Sequence, residues 1–79
     1  GVYSLQPRPG EPTFLFLDEP SLFDRLGIYG PVQGGEWPDN ARRFLTLARA
    51  AFEAGRLGGQ PIDILHVHDW HSAMSAVYL

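Results

Sequence analysis

The chain contains no cysteine and no lysine. Without thiols it can form neither a disulfide nor a thiolate metal site, so its order must come from packing and hydrogen bonding. All six basic side chains are arginines, and only Arg42 and Arg43 are neighbours. A formal net charge of −3 with scattered arginines offers no basic patch, which argues against a nucleic-acid partner. No apolar run approaches the roughly eighteen residues a membrane span needs, and no charged-then-apolar leader is visible. Neither a membrane partner nor secretion is indicated. Seventy-nine residues suffice only for a minimal core, and folded chains of this size are marginal. The chain opens on Gly rather than Met and stops inside an expected helix, so it is expected to be a piece of something larger.

What is present divides cleanly. Val2-Tyr3-Ser4-Leu5 and Thr13-Phe14-Leu15-Phe16-Leu17 read as strands separated by the proline-rich turn of residues 6–12, and they can pair as a hairpin. Ser21 to Arg25 reads as one helical turn capped by Ser21, with Asp24 and Arg25 able to form a surface ion pair. Residues 27–38 carry four glycines and two prolines and should be irregular. Asp39 or Asn40 can cap the next element, a helix from Ala41 to about Arg56. Its apolar face is Ala41, Phe44, Leu45, Ala48, Ala51 and Phe52, with Arg42, Arg43, Arg49 and Glu53 mostly off it. Gly55, Gly58, Gly59 and Pro61 end that helix before Ile62-Asp63-Ile64-Leu65, which reads as a buried strand running to His66. Residues 71–79 open a further helix. The order strand, strand, loop, helix, strand, helix is that of an α/β layered fold.

The junction His66-Val67-His68-Asp69-Trp70-His71 holds three imidazoles, a carboxylate and an indole where a strand gives way to a helix. Open α/β sheets build their ligand sites at such junctions. Alternation along a strand sends His66 and His68 to one side. Asp69 falls at the strand's end and His71 in the first helical turn, a neighbourhood favourable to anions. An ionised Asp69 can accept a hydrogen bond and a neutral His71 can donate one, and a sugar uses both. The bland alternative for Asp69 is an N-cap. His66 reads as structural and His68 fits either role. The His-x-His spacing also fits a metal-dependent hydrolase using His66, His68 and His71. Against that, Asp69 sits one position early for a His-x-His-x-Asp-His run, and Trp70 occupies the carboxylate's place. Trp37 can stack on a sugar but reads better as cover for a core edge. Tyr29, between Gly27 and Gly30, has flanking glycines that let the backbone approach a ligand.

Four segments taken in order resemble one family. They are Asp18-Glu19-Pro20-Ser21-Leu22-Phe23-Asp24-Arg25, Gly27-Ile28-Tyr29-Gly30, Asp39-Asn40-Ala41-Arg42-Arg43-Phe44 and His66-Val67-His68-Asp69-Trp70-His71. Together they resemble the bacterial glycogen synthases and plant starch synthases, retaining glucosyltransferases of the GT-B fold. The resemblance covers residues from about 14 to 79, and the first dozen residues match only in character. It implies that residues 1–79 are an internal, partial Rossmann-like fragment of the first of two doubly wound catalytic domains. It implies a transfer of glucose from ADP-glucose, or UDP-glucose in some members, to the 4-hydroxyl at the non-reducing end of an α-1,4-glucan. The nucleotide sugar is then a substrate, and no cofactor or metal is implied. Asp69 corresponds to an active-site aspartate, Trp70 and His71 to cleft-lining neighbours, and Tyr29 to a tyrosine near the acceptor. A cytoplasmic bacterial or a plastid location follows from the same resemblance. The family's Lys-x-Gly-Gly loop, its Thr-Val-His-Asn strand and its second domain have no counterpart in these residues, so the 79-mer is expected to be inactive alone. A non-catalytic remnant that binds α-glucan is the remaining alternative.

Overall fold

The computed structural model describes residues 1–78. Strand β1 (Val2–Leu5) pairs antiparallel with β2 (Phe14–Leu17), in the register Val2 to Leu17, Tyr3 to Phe16, Ser4 to Leu15 and Leu5 to Phe14. The expected hairpin is formed. Reciprocal backbone hydrogen bonds between Gly1 and Asp18 extend it by one step, at 2.7 and 2.9 Å. The connecting loop is held by Gln6, whose amide donates to the Glu11 carbonyl at 2.9 Å.

Helix α1 (Pro20–Phe23) starts one residue earlier than the sequence suggested, because Pro20 supplies a preset φ at a position that needs no N–H. Ser21 is not its cap; the hydroxyl donates to Glu19 Oε1 at 2.7 Å. Helix α2 (Asn40–Leu57) matches the expected long helix and is the hub of the molecule. Phe44 and Ala48 from its apolar face, with Leu22 from α1, make the buried apolar core. Helix α3 (Asp69–Ala73) passes into a single 3-10 turn, Met74–Ala76. Both pack on α2, and the buried Ser75 hydroxyl donates to the Ala48 carbonyl at 3.2 Å. Leu79, the end of the expected last helix, lies outside the described residues.

Two expectations are corrected. Arg43 is not on the solvent face of α2 but is 2 % exposed, because α1 and the loop after it fold over it and supply carbonyl acceptors. The segment 62–66 is not a strand, and Ile64 is 84 % exposed. A strand exists by pairing, and the only sheet among the described residues is β1–β2, which does not include this segment. An extended habit survives without the pairing. Leu65 and Val67 are partly covered while Ile64, His66 and His68 are exposed, and the His66 and His68 rings stack at 4.4 Å on one side, as alternation requires. The coarse α/β character stands: two strands and helices packed around α2.

Candidate active site

The site is assembled from the loop before α2, the first turn of α2 and the first turn of α3. Loop residues 24–38 have no helix or strand of their own, yet the structure pins them at several points. Arg43 reaches back from α2: its Nε donates to the Leu22 carbonyl at 2.7 Å and its Nη1 to the Ile28 carbonyl at 2.6 Å. The same Nη1 donates to Asn40 Oδ1 at 2.8 Å, and Asn40 Nδ2 donates to the Tyr29 carbonyl at 2.7 Å. Arg25 pairs with Asp39 through two bonds of 2.6 and 2.7 Å, lies 5.1 Å from the centre of the Trp37 ring and donates to the Ser21 carbonyl. Asp39 therefore flanks α2 without a side-chain cap bond, and Arg25 takes Asp39 rather than Asp24 as its partner. The hydrogen bond from Arg25 holds the Asp39 carboxyl below its ordinary value, and Asp39 raises Arg25 in turn. Trp37 donates its indole N–H to the Gly27 carbonyl at 3.1 Å and covers the loop's edge, the packing role rather than the ligand role. Gly30 is buried, and a Cβ there would run into the Gly35 carbonyl oxygen, so only glycine closes this loop.

The turn into α3 is set by Ser72. Its hydroxyl accepts from the His68 N–H and donates to the His68 carbonyl, both at 2.6 Å. His68, not Asp69, is the residue that flanks the helix start. Asp69 follows at φ 58°, the one left-handed non-glycine backbone among the described residues. Aspartate is among the residues that tolerate this conformation, which still costs energy and is found disproportionately at functional sites. Its Oδ1 accepts from the next residue's N–H, on Trp70, at 2.7 Å, one of the free N–H groups of the helix's first turn.

These elements enclose an open hollow of about 440 Å³ lined by Tyr29, Glu36, Asn40, Asp69, Trp70 and His71. All four site residues expected from sequence, Asp69, Tyr29, Trp70 and His71, meet there. The Asp69 side chain is exposed rather than packed inward. Tyr29 and Trp70 are each 53 % exposed, so each keeps aromatic surface for a ligand. The His71 ring is wedged between them, 4.9 Å from Tyr29, 4.2 Å from Trp70 and 4.6 Å from Phe44. Its Nε2 is covered and has no hydrogen-bond partner among the described residues, a condition that buried polar atoms rarely tolerate. Glu36 and Asn40 were not singled out as site residues. The sequence marks Asn40 only as a possible cap, and the signal for Glu36 is its place between the Gly34-Gly35 pair and Trp37.

Chemically the hollow offers two carboxylates, an imidazole and two exposed aromatic faces, while the buried Asn40 amide is engaged by Arg43 and the Tyr29 carbonyl; none of the six lining residues is an arginine. Acceptors, donors and stacking surfaces suit a polyhydroxylated ring, whereas two carboxylates repel a diphosphate. The three imidazoles do not form a metal centre. Among the described residues no three His, Asp or Glu side chains are placed to hold a metal ion, because His66 and His68 stack on the exposed side while His71 sits in the aromatic cluster. No helix among the described residues is long and apolar enough to cross a membrane.

Comparison with known proteins shows what the chain is similar to. The family described as "Starch synthase catalytic domain" matches residues 1–79. The glycogen synthase of Rhodopseudomonas palustris (strain BisA53) is 46 % identical over 79 residues, covering 95 % of this chain and 16 % of that protein. The glycogen synthase of Mesorhizobium japonicum is 47 % identical over 66 residues, covering 80 % of this chain and 14 % of that protein. That of Koribacter versatilis (strain Ellin345) is 46 % identical over 67 residues, covering 84 % and 13 % respectively. The chain thus spans a small part, 13–16 %, of the length of these relatives. No solved structure matches it.

Proposed function

The chain belongs to the starch synthase catalytic-domain family, and from that premise we propose that it works within a glucosyltransferase that extends an α-1,4-glucan. In this reading the donor is ADP-glucose, the acceptor is the 4-hydroxyl of the glucan's terminal residue, and residues 1–79 form part of the first domain of a GT-B enzyme. The bacterial cytoplasm is the compartment that fits the relatives, with the plastid as its plant equivalent.

The observation that carries the proposal is the hollow itself: a strained Asp69 whose carboxylate is exposed beside Tyr29, Trp70 and His71. Glucosyl transfer between oxygens needs the sugar oriented, its developing positive charge stabilised and the departing diphosphate neutralised. Asp69 supplies negative charge and a hydrogen-bond acceptor for sugar hydroxyls at the first two of these tasks. Tyr29 and Trp70 offer faces on which a pyranose ring stacks, and His71 braces both rings. The diphosphate finds no partner among the hollow's lining, so its charge has to be met by residues outside the hollow. The 79-mer alone is therefore expected to be inactive, and the full-length protein active.

The test is glucosyl incorporation into glycogen from ADP-glucose by the full-length protein, with UDP-glucose in a parallel arm. Release of nucleoside diphosphate matched to chain extension supports the proposal. Turnover of neither donor sinks it, and turnover by the 79-mer alone would contradict the division of labour.

A further inference from the structure

We propose that Asn40 and Arg43 are positioning residues that fix Tyr29 at the acceptor side of the hollow, an inference that rests on the glucosyltransferase reading above. The argument starts from the loop. Residues 27–38, rich in glycine and proline, have no repeating hydrogen-bond pattern to hold them, and ordering such a segment costs conformational entropy. Tyr29 sits in that loop, yet its carbonyl accepts two hydrogen bonds, from Asn40 Nδ2 at 2.7 Å and from the Trp37 N–H at 3.0 Å. Both acceptor positions of that oxygen are filled.

Asn40 can serve this way only in one amide orientation, and Arg43 sets it. The Arg43 Nη1 donates to Asn40 Oδ1 at 2.8 Å, which turns Nδ2 toward Tyr29. Arg43 also holds the preceding residue's carbonyl, on Ile28, at 2.6 Å. The guanidinium is buried, lying 5.5 Å from the centre of the Phe23 ring and 5.2 Å from that of Phe44. A relay of Arg43, Asn40 and the Tyr29 backbone thus runs from the core of α2 to the edge of the hollow. Its output is a Tyr29 ring held 4.9 Å from His71 with half its surface open. A preset aromatic face spares a sugar the cost of ordering the loop on binding. The effect should appear in acceptor affinity and leave the chemical step alone.

The experiment uses the full-length protein and the isosteric substitution Asn40→Asp. Aspartate keeps an oxygen for Arg43 but has no N–H for the Tyr29 carbonyl. Expected is a rise of about five- to tenfold in KM for maltooligosaccharide, the scale of one lost hydrogen bond. Less than a twofold change is expected in kcat and in KM for the donor. In a Tyr29→Ala background the same substitution should change acceptor KM by less than twofold, because the two act in series. Full additivity with Tyr29→Ala, an unchanged acceptor KM, or a loss confined to kcat overturns the inference. If Asn40→Asp yields no folded protein, Asn40→Ser, whose hydroxyl is too short to reach the carbonyl, is read by the same criteria. Titration of maltooligosaccharide followed by tryptophan fluorescence gives Kd values on the same cycle. Saturable binding with additive effects sinks the positioning relay alone; no binding and no transfer sinks the enzyme reading together with it.

Discussion

The two ends of α2 are covered by different means. Its first three turns carry Asn40, Arg43, Phe44 and Ala48, all buried under α1, the 24–38 loop, α3 and the 3-10 turn. Polar side chains there are tied to carbonyls of the loop, so the region closes on itself. The last three turns meet the hairpin across hollows of about 150 and 360 Å³ lined by residues such as Val2, Leu15, Leu47, Ala51 and Leu57, and are otherwise touched by single side chains, Ile62 at Gly55 and Tyr78 near Phe52. Phe14, Leu15 and Phe16 remain half exposed, and Ile62 and Ile64 find no sheet. A hydrogen-bonded clamp can be satisfied by a short chain, because each bond needs one partner. A hydrophobic face needs area, and these 79 residues do not supply it.

Substitutions can break that contrast. The largest expected effect is Phe44→Ala, which removes the aromatic at the centre of the buried cluster and should cost about 3–5 kcal/mol in urea denaturation. Next, Arg43→Ala leaves buried carbonyls without donors and should cost about 2–3 kcal/mol. A cost below about 1 kcal/mol for Arg43→Ala would show that the clamp is ornamental. Gly30→Ala forces a methyl against the Gly35 carbonyl and should cost about 1–3 kcal/mol. Phe16→Ala on the hairpin should cost under about 1 kcal/mol in the 79-residue chain, since its ring is already 53 % exposed. A cost equal to that of Phe44→Ala would erase the distinction between the two ends.

The smallest effect is on pH dependence. Asp39 is held below its ordinary value by Arg25, so its contribution is present above that ordinary value and fades as the pH falls through the lowered one. Arg25 is raised, so its share is lost only above the ordinary arginine range. Asp39→Asn should therefore flatten the acid side of the stability curve and leave the neutral-to-alkaline side parallel to the wild type. An unchanged slope in acid would deny the pair its role.

The legible parts of the fold were those with local causes. Proline and the glycines punctuated the chain, the spacing of Phe44, Ala48 and Phe52 marked α2, and alternation placed His66 and His68 on one side. The His-Asp-Trp-His junction was visible as chemistry not easily explained by packing alone, and its three expected site residues, Asp69, Trp70 and His71, converge with Tyr29 from the loop. What failed depended on partners distant in sequence. Arg43 looked solvent-facing because its acceptors, Leu22 in α1 and Ile28 in the loop after it, are brought over it by a path that no periodicity reveals. Arg25 found Asp39 rather than its neighbour for the same reason. The third strand failed because apolar composition announces an appetite for a sheet without providing one. For Asp69 the sequence offers a helix-start role and a ligand role as compatible readings; the structure gives it a left-handed backbone, a bond from the Trp70 N–H and an exposed position at the hollow.

The central claim is that the Asp69 carboxylate serves glucosyl transfer, and Asp69→Asn in the full-length protein tests it most directly. Asparagine fits the same left-handed backbone and the same hollow, so only charge and acceptor strength change. Transfer from ADP-glucose to glycogen is expected to fall by about a hundredfold or more in kcat, with the thermal midpoint within a few degrees of the wild type. Activity within about threefold of wild type would contradict the account.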